Sequence, residues 1–484
     1  MKKLISGVIQ SAVSSLLLSV AACAPTIETP ESMQQVPKEL HGSAVGPSIA
    51  KIPWQGYFSE PAARELVQKV LTNNLDLKIA LQRIEVARAM EFASVRARFP
   101  TVGIFAGTSL RRFGDYTMDG AGNRSTVIYG DEIVPTNLPD YALGAQASWE
   151  VDLWGKLKNS AEAAKARVLY SEEGRNALVT ELVASAAASY YHLRAITLRV
   201  ACLEDSAHLQ EEALRAVQGQ RDVGHVTDLA VKQFQAQLLH IRSLIQEALA
   251  ERAELEARIH ELLGTFPQPL SVSGEPFSKD PPMLSPTAGL PTDLLKKRPD
   301  IRQARLAVEA TEADLRAAEA AFYPSVSIQG MVGLDAFRTN LVFRPESLAF
   351  SALGSLTQPL INRAGIEAEF KIANAQQIEA LVTYQKSIVL AFIEVNQAFR
   401  KLNAAQELSR LRQEQVAALE SASSMAQDLF EIGRSTYLEF LVARQNVLDA
   451  QLELIAAQMS ERLERISLYR SLGGGWDERV DKKS

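Results

Sequence analysis

A single cysteine close to the start of the chain has the surroundings that covalent acylation requires. Two lysines precede a mostly apolar stretch over residues 4–20, and small residues follow it, as in a secretory signal peptide. The tetrapeptide VAAC at 20–23 resembles a bacterial lipobox, in which the cysteine becomes the acylated first residue of the mature protein. We therefore expect residues 1–22 to be removed and Cys23 to carry a lipid. The alternative is an ordinary signal peptide cut after Ala22 that leaves a spare thiol.

The residue after this cysteine bears on the location of the protein. Ala24 stands where an aspartate would favour retention in the inner membrane, so we expect sorting to the bacterial outer membrane. The apolar stretch is too short and too interrupted by polar residues to predict a membrane-spanning helix. The only other cysteine is Cys202, so neither a disulfide framework nor a cofactor besides the lipid is expected.

The other residues with catalytic or metal-binding potential are scattered. No two histidines lie four residues apart, and the sequence has no HExxH, CxxC, phosphate-loop or nucleophile-elbow motif. We expect no catalytic residue, no metal site and no enzymatic activity. The histidines are His41, His192, His208, His225, His240 and His260.

The overall composition favours long helices and disfavours one class of partner. The chain has 484 residues, 47% of them hydrophobic and only 7% aromatic. A net charge of −6 gives no reason to expect a nucleic acid partner, because an acidic chain repels phosphate. Such a composition is typical of helices packed against one another.

The chain is a tandem duplication. Residues 74–106 match 298–330 at an offset of 224, and both segments break a helical pattern at an aromatic-Pro pair. Residues 221–229 match 430–438 at an offset of 209, so the first repeat holds 15 extra residues between the two matches. Gly, Asp, Asn and Pro are concentrated in 114–140, which predicts that this insertion is a hairpin loop.

Each repeat is predicted to run helix, strand, loop, strand, long helix, turn, helix. The predicted helices cover roughly 64–98, 158–221 and 227–263, then 291–322, 364–431 and 435–471; the strands cover about 101–112, 141–151, 325–335 and 348–358. The expected divisions are signal peptide 1–22, extended lipidated segment 23–63, first repeat 64–263, Pro-rich linker 264–290, second repeat 291–472 and C-terminal tail 473–484. Gly224 and Gly433 are expected in the turns that follow the two long helices.

The predicted strands have one apolar side and one small or polar side. This period suits a membrane barrel with a wet interior, but a soluble sheet packed on helices has the same period. Four strands cannot close a barrel, so the membrane interpretation requires oligomerisation. The apolar sets are Val326, Ile328, Gly330, Val332 and Leu334 in one strand, and Tyr141, Leu143, Ala145, Ala147, Trp149 and Val151 in another.

Four short segments resemble the outer membrane factor family, the TolC-like channels, and within it the OprM/NodT lipoprotein branch. They are SWEVDLWGKL (148–157), GLPTDLLKKRPDIRQAR (289–305), AAFYPSVSI (320–328) and SLYRSLGGGW (467–476). The resemblance implies a mainly α fold with a small β part. Three chains would build a 12-stranded transmembrane β-barrel that continues into a long α-helical tunnel across the periplasm. It also implies a homotrimer in outer-membrane lipid that docks on a periplasmic adaptor protein and an inner-membrane pump, usually of the resistance-nodulation-division class.

The resemblance also directs attention to the residues after the two glycine turns. In the family, acidic residues and an apolar ring near this place form the narrowest point of the tunnel, and a carboxylate ring attracts cations. Val442 stands where the family usually has aspartate, and Glu439, one helical turn earlier, is the expected substitute. Solvated charges on an exposed turn are the alternative. The gate candidates are Asp228, Arg434, Tyr437, Leu438 and Glu439.

The sequence thus predicts an outer-membrane channel of a tripartite efflux system, a passive duct for drugs, toxic compounds or metal ions. One alternative is the exit duct of a type I-like protein or oligosaccharide secretion system, because the pump selects the cargo. Another is a periplasmic coiled-coil scaffold without a channel.

Overall fold

The computed structural model describes residues 48–272, 274–277, 296–359, 361 and 363–476. The described chain divides into two compact units. Unit 1 contains residues 86–168 and 306–381, and unit 2 contains the remaining described residues. Each unit therefore takes residues from both repeats.

The fold is mainly helical with a few strands, as predicted. No helix in the described ranges combines the length and the apolar character that crossing a membrane demands. The helices are α1 (Trp54–Tyr57), α2 (Pro61–Asn73), α3 (Leu75–Arg96), α4 (Met118–Asn123), α5 (Lys156–Asp222), α6 (Asp228–Leu263), α7 (Pro299–Ala320), α8 (Ala364–Glu431) and α9 (Tyr437–Ser471). The strands are β1 (Thr101–Arg111), β2 (Val127–Tyr129), β3 (Glu132–Ile133), β4 (Leu138–Val151), β5 (Ser325–Ala336) and β6 (Leu348–Thr357).

Unit 1 contains a four-stranded antiparallel sheet in the order β1-β4-β5-β6. The central pair joins the two repeats, because β4 comes from the first and β5 from the second. The segment that carries the insertion folds as α4 followed by the hairpin β2-β3. The prolines that precede β1 and β5 each end a helix without removing a ladder hydrogen bond, since the strand begins one residue later.

Unit 2 consists mainly of packed helices. One of its helix breaks was not predicted from the sequence. The tract expected as one helix over 64–98 is two helices, α2 and α3, separated at Asn74. The side-chain oxygen of Asn74 accepts the backbone N–H of Leu77 at 2.9 Å, which caps α3, and its amide donates to the carbonyl of Leu262 at 2.9 Å. One buried asparagine thus starts α3 and fastens it to the end of α6.

Arg298 occupies the equivalent place at the start of α7. Its guanidinium donates to the carbonyl of Ser471 at 2.7 Å, to Glu394 at 2.7 Å and to Asp300 at 2.7 and 3.0 Å. Arg470 extends the network, because it donates to Glu394 at 3.1 Å. The arginine of the "RPDI" segment therefore fastens α7 to α8 and to the end of α9.

Candidate functional site

The register of the sheet sorts its side chains into two faces. Ile328 lies opposite Trp149 and Gly354, and Val332 lies opposite Ala145 and Phe350. Because side chains alternate along each strand, the two predicted apolar sets fall on the same face of the sheet. The apolar face comprises Val102, Ile104, Ala106, Leu110, Leu143, Ala145, Ala147, Trp149, Val326, Ile328, Val332, Leu334, Leu348, Phe350 and Leu356.

No described part of the chain covers the apolar face. Ile104 is 90% exposed and Phe350 is 80% exposed, whereas aliphatic and aromatic side chains of a soluble sheet are normally buried against another layer. The opposite face is mainly small and polar, although it also carries Phe105, Met331 and Leu353. Its small and polar residues include Thr101, Gln146, Ser148, Ser327, Gln329, Ser351 and Ser355. A polar side chain pair crosses it where the Ser327 and Ser355 hydroxyls meet at 2.6 Å.

Among the residues that the structure describes, the outer strands of the sheet, β1 and β6, each pair with a strand on one side only. Each leaves a row of backbone N–H and C=O groups without ladder partners. Such groups cannot remain unpaired against lipid. An apolar sheet with two open edges is therefore incomplete as a single chain.

The two glycine turns have the same backbone. Gly224 and Gly433 have φ of 81° and 70°, a conformation that favours glycine. In the first turn His225 N–H donates to the carbonyl of Gln220, and in the second Arg434 N–H donates to that of Leu429. The Gly224 N–H also donates to the carbonyl of Arg221, and the Gly433 N–H donates to that of Phe430. The two turns are therefore Schellman motifs, which satisfy the last carbonyls of α5 and α8.

Glu439 caps the helix that follows the second turn. Its Oε2 accepts the backbone N–H of Thr436 at 2.7 Å and the hydroxyls of Ser435 at 2.8 Å and Thr436 at 3.0 Å. The Thr436 hydroxyl in turn accepts the N–H of Glu439, which completes a capping box. The Thr436 N–H bond, with the two hydroxyl bonds, holds the pKa of Glu439 below its usual range.

The first turn is charged in a different way. Asp228 begins α6 and lies 3.5 Å from Arg221, which also contacts Asp222 at 2.6 Å. The Thr227 side chain before Asp228 makes no capping hydrogen bond. Here an ion pair across the turn takes the place of the capping box.

The other gate candidates lie around the second turn. Arg434 is exposed and forms no ion pair with any described residue, and Leu438 is 49% exposed. Tyr437 is half-buried and packs on a cluster that includes Phe234 and Phe440. The structure therefore brings Glu439 together with Ser435, and not with Arg434. Thr436 and Arg221 were not among the candidates, although T-x-x-E at 436–439 is a recognisable capping signature.

The remaining predicted residues divide between those inside and those outside the described ranges. Cys23 and the signal peptide 1–22 lie outside the described residues. Within those ranges, no group of three His, Cys, Asp or Glu side chains could hold a metal ion. His260, the most buried of the described histidines, is satisfied by the Thr265 hydroxyl at 2.8 Å and the Gln268 carbonyl at 2.7 Å.

A sheet with an uncovered apolar face, combined with long helices in a duplicated chain, defines a class of outer-membrane channel-forming protein. The model of the outer membrane efflux protein family matches residues 66–265 and 290–474. The chain belongs to this family, and the predicted resemblance is confirmed.

Characterised relatives align along most of the chain. The cation efflux system protein CusC of Escherichia coli O6:H1 is 27% identical over 428 residues, which cover 88% of each chain. The toluene efflux pump outer membrane protein TtgC of Pseudomonas putida is 27% identical over 97% of this chain and 96% of its own. The outer membrane protein OprJ of Pseudomonas aeruginosa is 29% identical over 96% of each chain.

The fold also has a solved counterpart. The outer-membrane channel OprN superposes with a TM-score of 0.82 at 27% identity, over 94% of this chain and 99% of that one. The helices and the four-stranded sheet are therefore those of an outer-membrane efflux channel.

Proposed function

We propose that three copies of this chain join their sheets into a 12-stranded barrel in the outer membrane. The helices of the three copies continue this barrel as a tunnel, through which an efflux system discharges small molecules. The observation that carries the proposal is the sheet with an exposed apolar face, a polar face and two open edges. Closure by three copies pairs both edges, turns the apolar face to lipid and leaves the polar face around a wet pore.

The proposed duct is passive and depends on partners for energy and cargo. An inner-membrane pump of the resistance-nodulation-division class supplies the cargo through a periplasmic adaptor. CusC is named for cations and TtgC for toluene, which is consistent with pump-determined selection among related channels. Small toxic molecules or metal ions are therefore the proposed cargo class, and the chain itself performs no chemistry.

The proposal is tested by placing one charge on either face of the same strand. Ile328→Lys puts a charge on the apolar face and should cost on the order of 2–4 kcal/mol per chain if that face contacts lipid. Gln329→Lys, one residue along on the polar face, is the matched control. We expect trimer yield and conductance in planar bilayers to fall sharply for the first variant only. Equal effects, or a wild type that forms neither trimers nor pores, would contradict the proposal.

We also propose that Cys23 is acylated and tethers the chain to the membrane. The support is the VAAC tetrapeptide after an apolar leader. Wild-type cells should incorporate labelled palmitate into the protein and Cys23→Ser cells should not. Absence of label in wild type would leave only an ordinary signal peptide.

A further inference from the structure

The internal repeat gives a template for the contact between two copies. Inside one chain, β4 and the start of α5 from the first repeat lie beside β5 and the end of α7 from the second. The open edge β6 with α8 corresponds to β4 with α5 at the offset of 209, and β1 with α3 corresponds to β5 with α7 at 224. The seam closed within the chain therefore has the same parts as the seam left open at its edges.

One aromatic side chain packs across the closed seam beside the β4–β5 pairing. Trp154 stacks on Tyr323, with ring centroids 4.9 Å apart and planes at 23°, and its N–H donates to the carbonyl of Pro324 at 2.8 Å. This single side chain both packs on the aromatic-Pro break of the second repeat and satisfies a backbone carbonyl there.

At the open seam the equivalent residues are present but have no such contact. The offsets carry Trp154 onto Arg363, and Tyr323 and Pro324 onto Phe99 and Pro100. The Phe99 ring is 56% exposed. Nε and Nη2 of Arg363 are buried with no hydrogen-bond partner, while its guanidinium lies over Phe322, 5.1 Å from the ring centroid. Because these two donors have no partner, Arg363 loses no hydrogen bond when it turns to a new acceptor. Leaving them buried and unpaired is costly.

Neighbouring exposure supports the same correspondence. Ala163 on α5 is fully buried, whereas its counterpart Ile372 on α8 is 56% exposed. Asp314 and Arg316 on α7 pair with Arg167 and Glu162 of α5, the second pair at 3.9 Å. Their counterparts on α3 are apolar and exposed: Met90 and Phe92 are each 62% exposed. Positions that make contact at the closed seam are thus uncovered at the open one.

We propose that Arg363 takes the role of Trp154 between copies, and stacks on Phe99 and donates to the Pro100 carbonyl of a second copy of this chain. A guanidinium is planar, stacks on aromatic faces and carries several N–H donors, so it can replace an indole in both contacts. The inference rests on the proposed trimer and specifies the side chains that hold it.

The strand register of the closed seam can also be transferred to the open one. Ser148 lies opposite Gln329 in the closed seam, so Thr357 is placed opposite Phe105 of the second copy. Both belong to the polar face of the sheet. A shift of one residue would put an apolar face against a polar one, and the transferred register avoids this conflict.

Variants of the full-length protein in detergent separate this inference from the proposed function. Arg363→Trp restores the side chain of the first repeat, and its trimers should dissociate at the wild-type rate. Arg363→Ala and Phe99→Ala trimers should dissociate about tenfold faster, as loss of a desolvated cation–aromatic contact predicts. The double variant should be no worse than either single one. Arg338→Ala, which removes an exposed loop arginine paired with Glu132 of β3, is the control and should have no effect.

A covalent test covers variants that fold poorly. Phe99→Cys combined with Arg363→Cys should be joined into covalently linked trimers by a short bifunctional maleimide, while each single cysteine variant should not. Trimers that form without this linkage would overturn the proposed contact between copies, and so would an Arg363→Ala trimer that dissociates as slowly as wild type. Neither result would contradict the proposed channel function. A wild type that never forms trimers would overturn the proposed function itself.

Discussion

The two repeats fasten the start of a helix to the end of another with different chemistry. In the first repeat the Asn74 amide donates to the carbonyl of Leu262, and in the second the Arg298 guanidinium donates to that of Ser471. The offsets of 224 and 209 make both donors and both carbonyls equivalent. The shared element is therefore a carbonyl at a helix end, and the side chain that reaches it can change.

Arginine adds charges that asparagine lacks. Burial by itself lowers the pKa of Arg298, but its hydrogen bonds and ion pairs with Asp300 and Glu394 outweigh burial and raise it. The contacts of Arg298, the charged joint, consequently link α7, α8 and α9. The contacts of Asn74 link only α3 and α6. The glycine turns also differ, but there the ion pair is in the first repeat and the capping box is in the second.

The largest effect is expected from removing the charged joint. Arg298→Ala leaves Glu394, Asp300 and the Ser471 carbonyl without this donor and should cost about 3 kcal/mol, since the two carboxylates are partly solvated. Asn74→Ala should cost about 1–2 kcal/mol, as loss of a cap and one buried hydrogen bond. Denaturant unfolding of the detergent-solubilised protein measures both. Equal losses would mean that the added charges contribute nothing.

A smaller effect is expected at the glycine beside that joint. A Cβ on Gly473 would lie 3.0 Å from the backbone of Arg298, whereas a Cβ on Gly433 would meet nothing within 4 Å. Both glycines have positive φ, so alanine is strained at either place. Gly473→Ala should cost about 2–3 kcal/mol and Gly433→Ala about 1 kcal/mol. The same unfolding measurement decides, and a larger loss at Gly433 would contradict the crowding argument.

The capping box should make the second turn sensitive to acid through Glu439. The pKa of Glu439 is lowered from 4.5, so its stabilisation is fully present above that value and is lost as pH falls through the folded-state pKa. When the pH is lowered below about 4.5, the hydrogen-exchange protection factors at the start of α9 should therefore decrease. Glu439→Gln should remove this drop. The start of α6 has Ala230 in the equivalent position, so it lacks this capping carboxylate, and its turn is closed by the Asp228–Arg221 ion pair instead.

Neutralising the charges at the turns should have the smallest effect on stability. It should instead change the ion selectivity of the pore. If Glu439 and Asp228 ring the pore, neutral variants should weaken cation selectivity, because fixed carboxylates attract cations. Glu439→Gln and Asp228→Asn keep the side-chain size, and Arg434→Ala tests the exposed positive charge. Reversal potentials in planar bilayers compare them. Unchanged selectivity in both carboxylate variants would leave Leu438 as the remaining constriction candidate.

Much of the fold was predictable because its signals are local. Proline after Phe99 and Tyr323 stops a helix wherever it occurs, and glycine at 224 and 433 permits a turn that other residues resist. The break at Asn74 was missed because the helical pattern continues on both sides of it, although asparagine is a favoured N-cap residue. Its cause is a hydrogen bond to Leu262, a residue far away in the chain.

The sequence by itself determined the duplication, the order of helices and strands, and the alternation of apolar and polar residues along each strand. These follow from periodicity, which each segment carries alone. Only the tertiary structure decided that β4 pairs with β5 of the other repeat, that Glu439 is held by Ser435 and Thr436, and that Arg363 has unpaired donors. The β4–β5 register depends on segments far apart in the chain, and the unpaired donors depend on how closely the surrounding side chains pack.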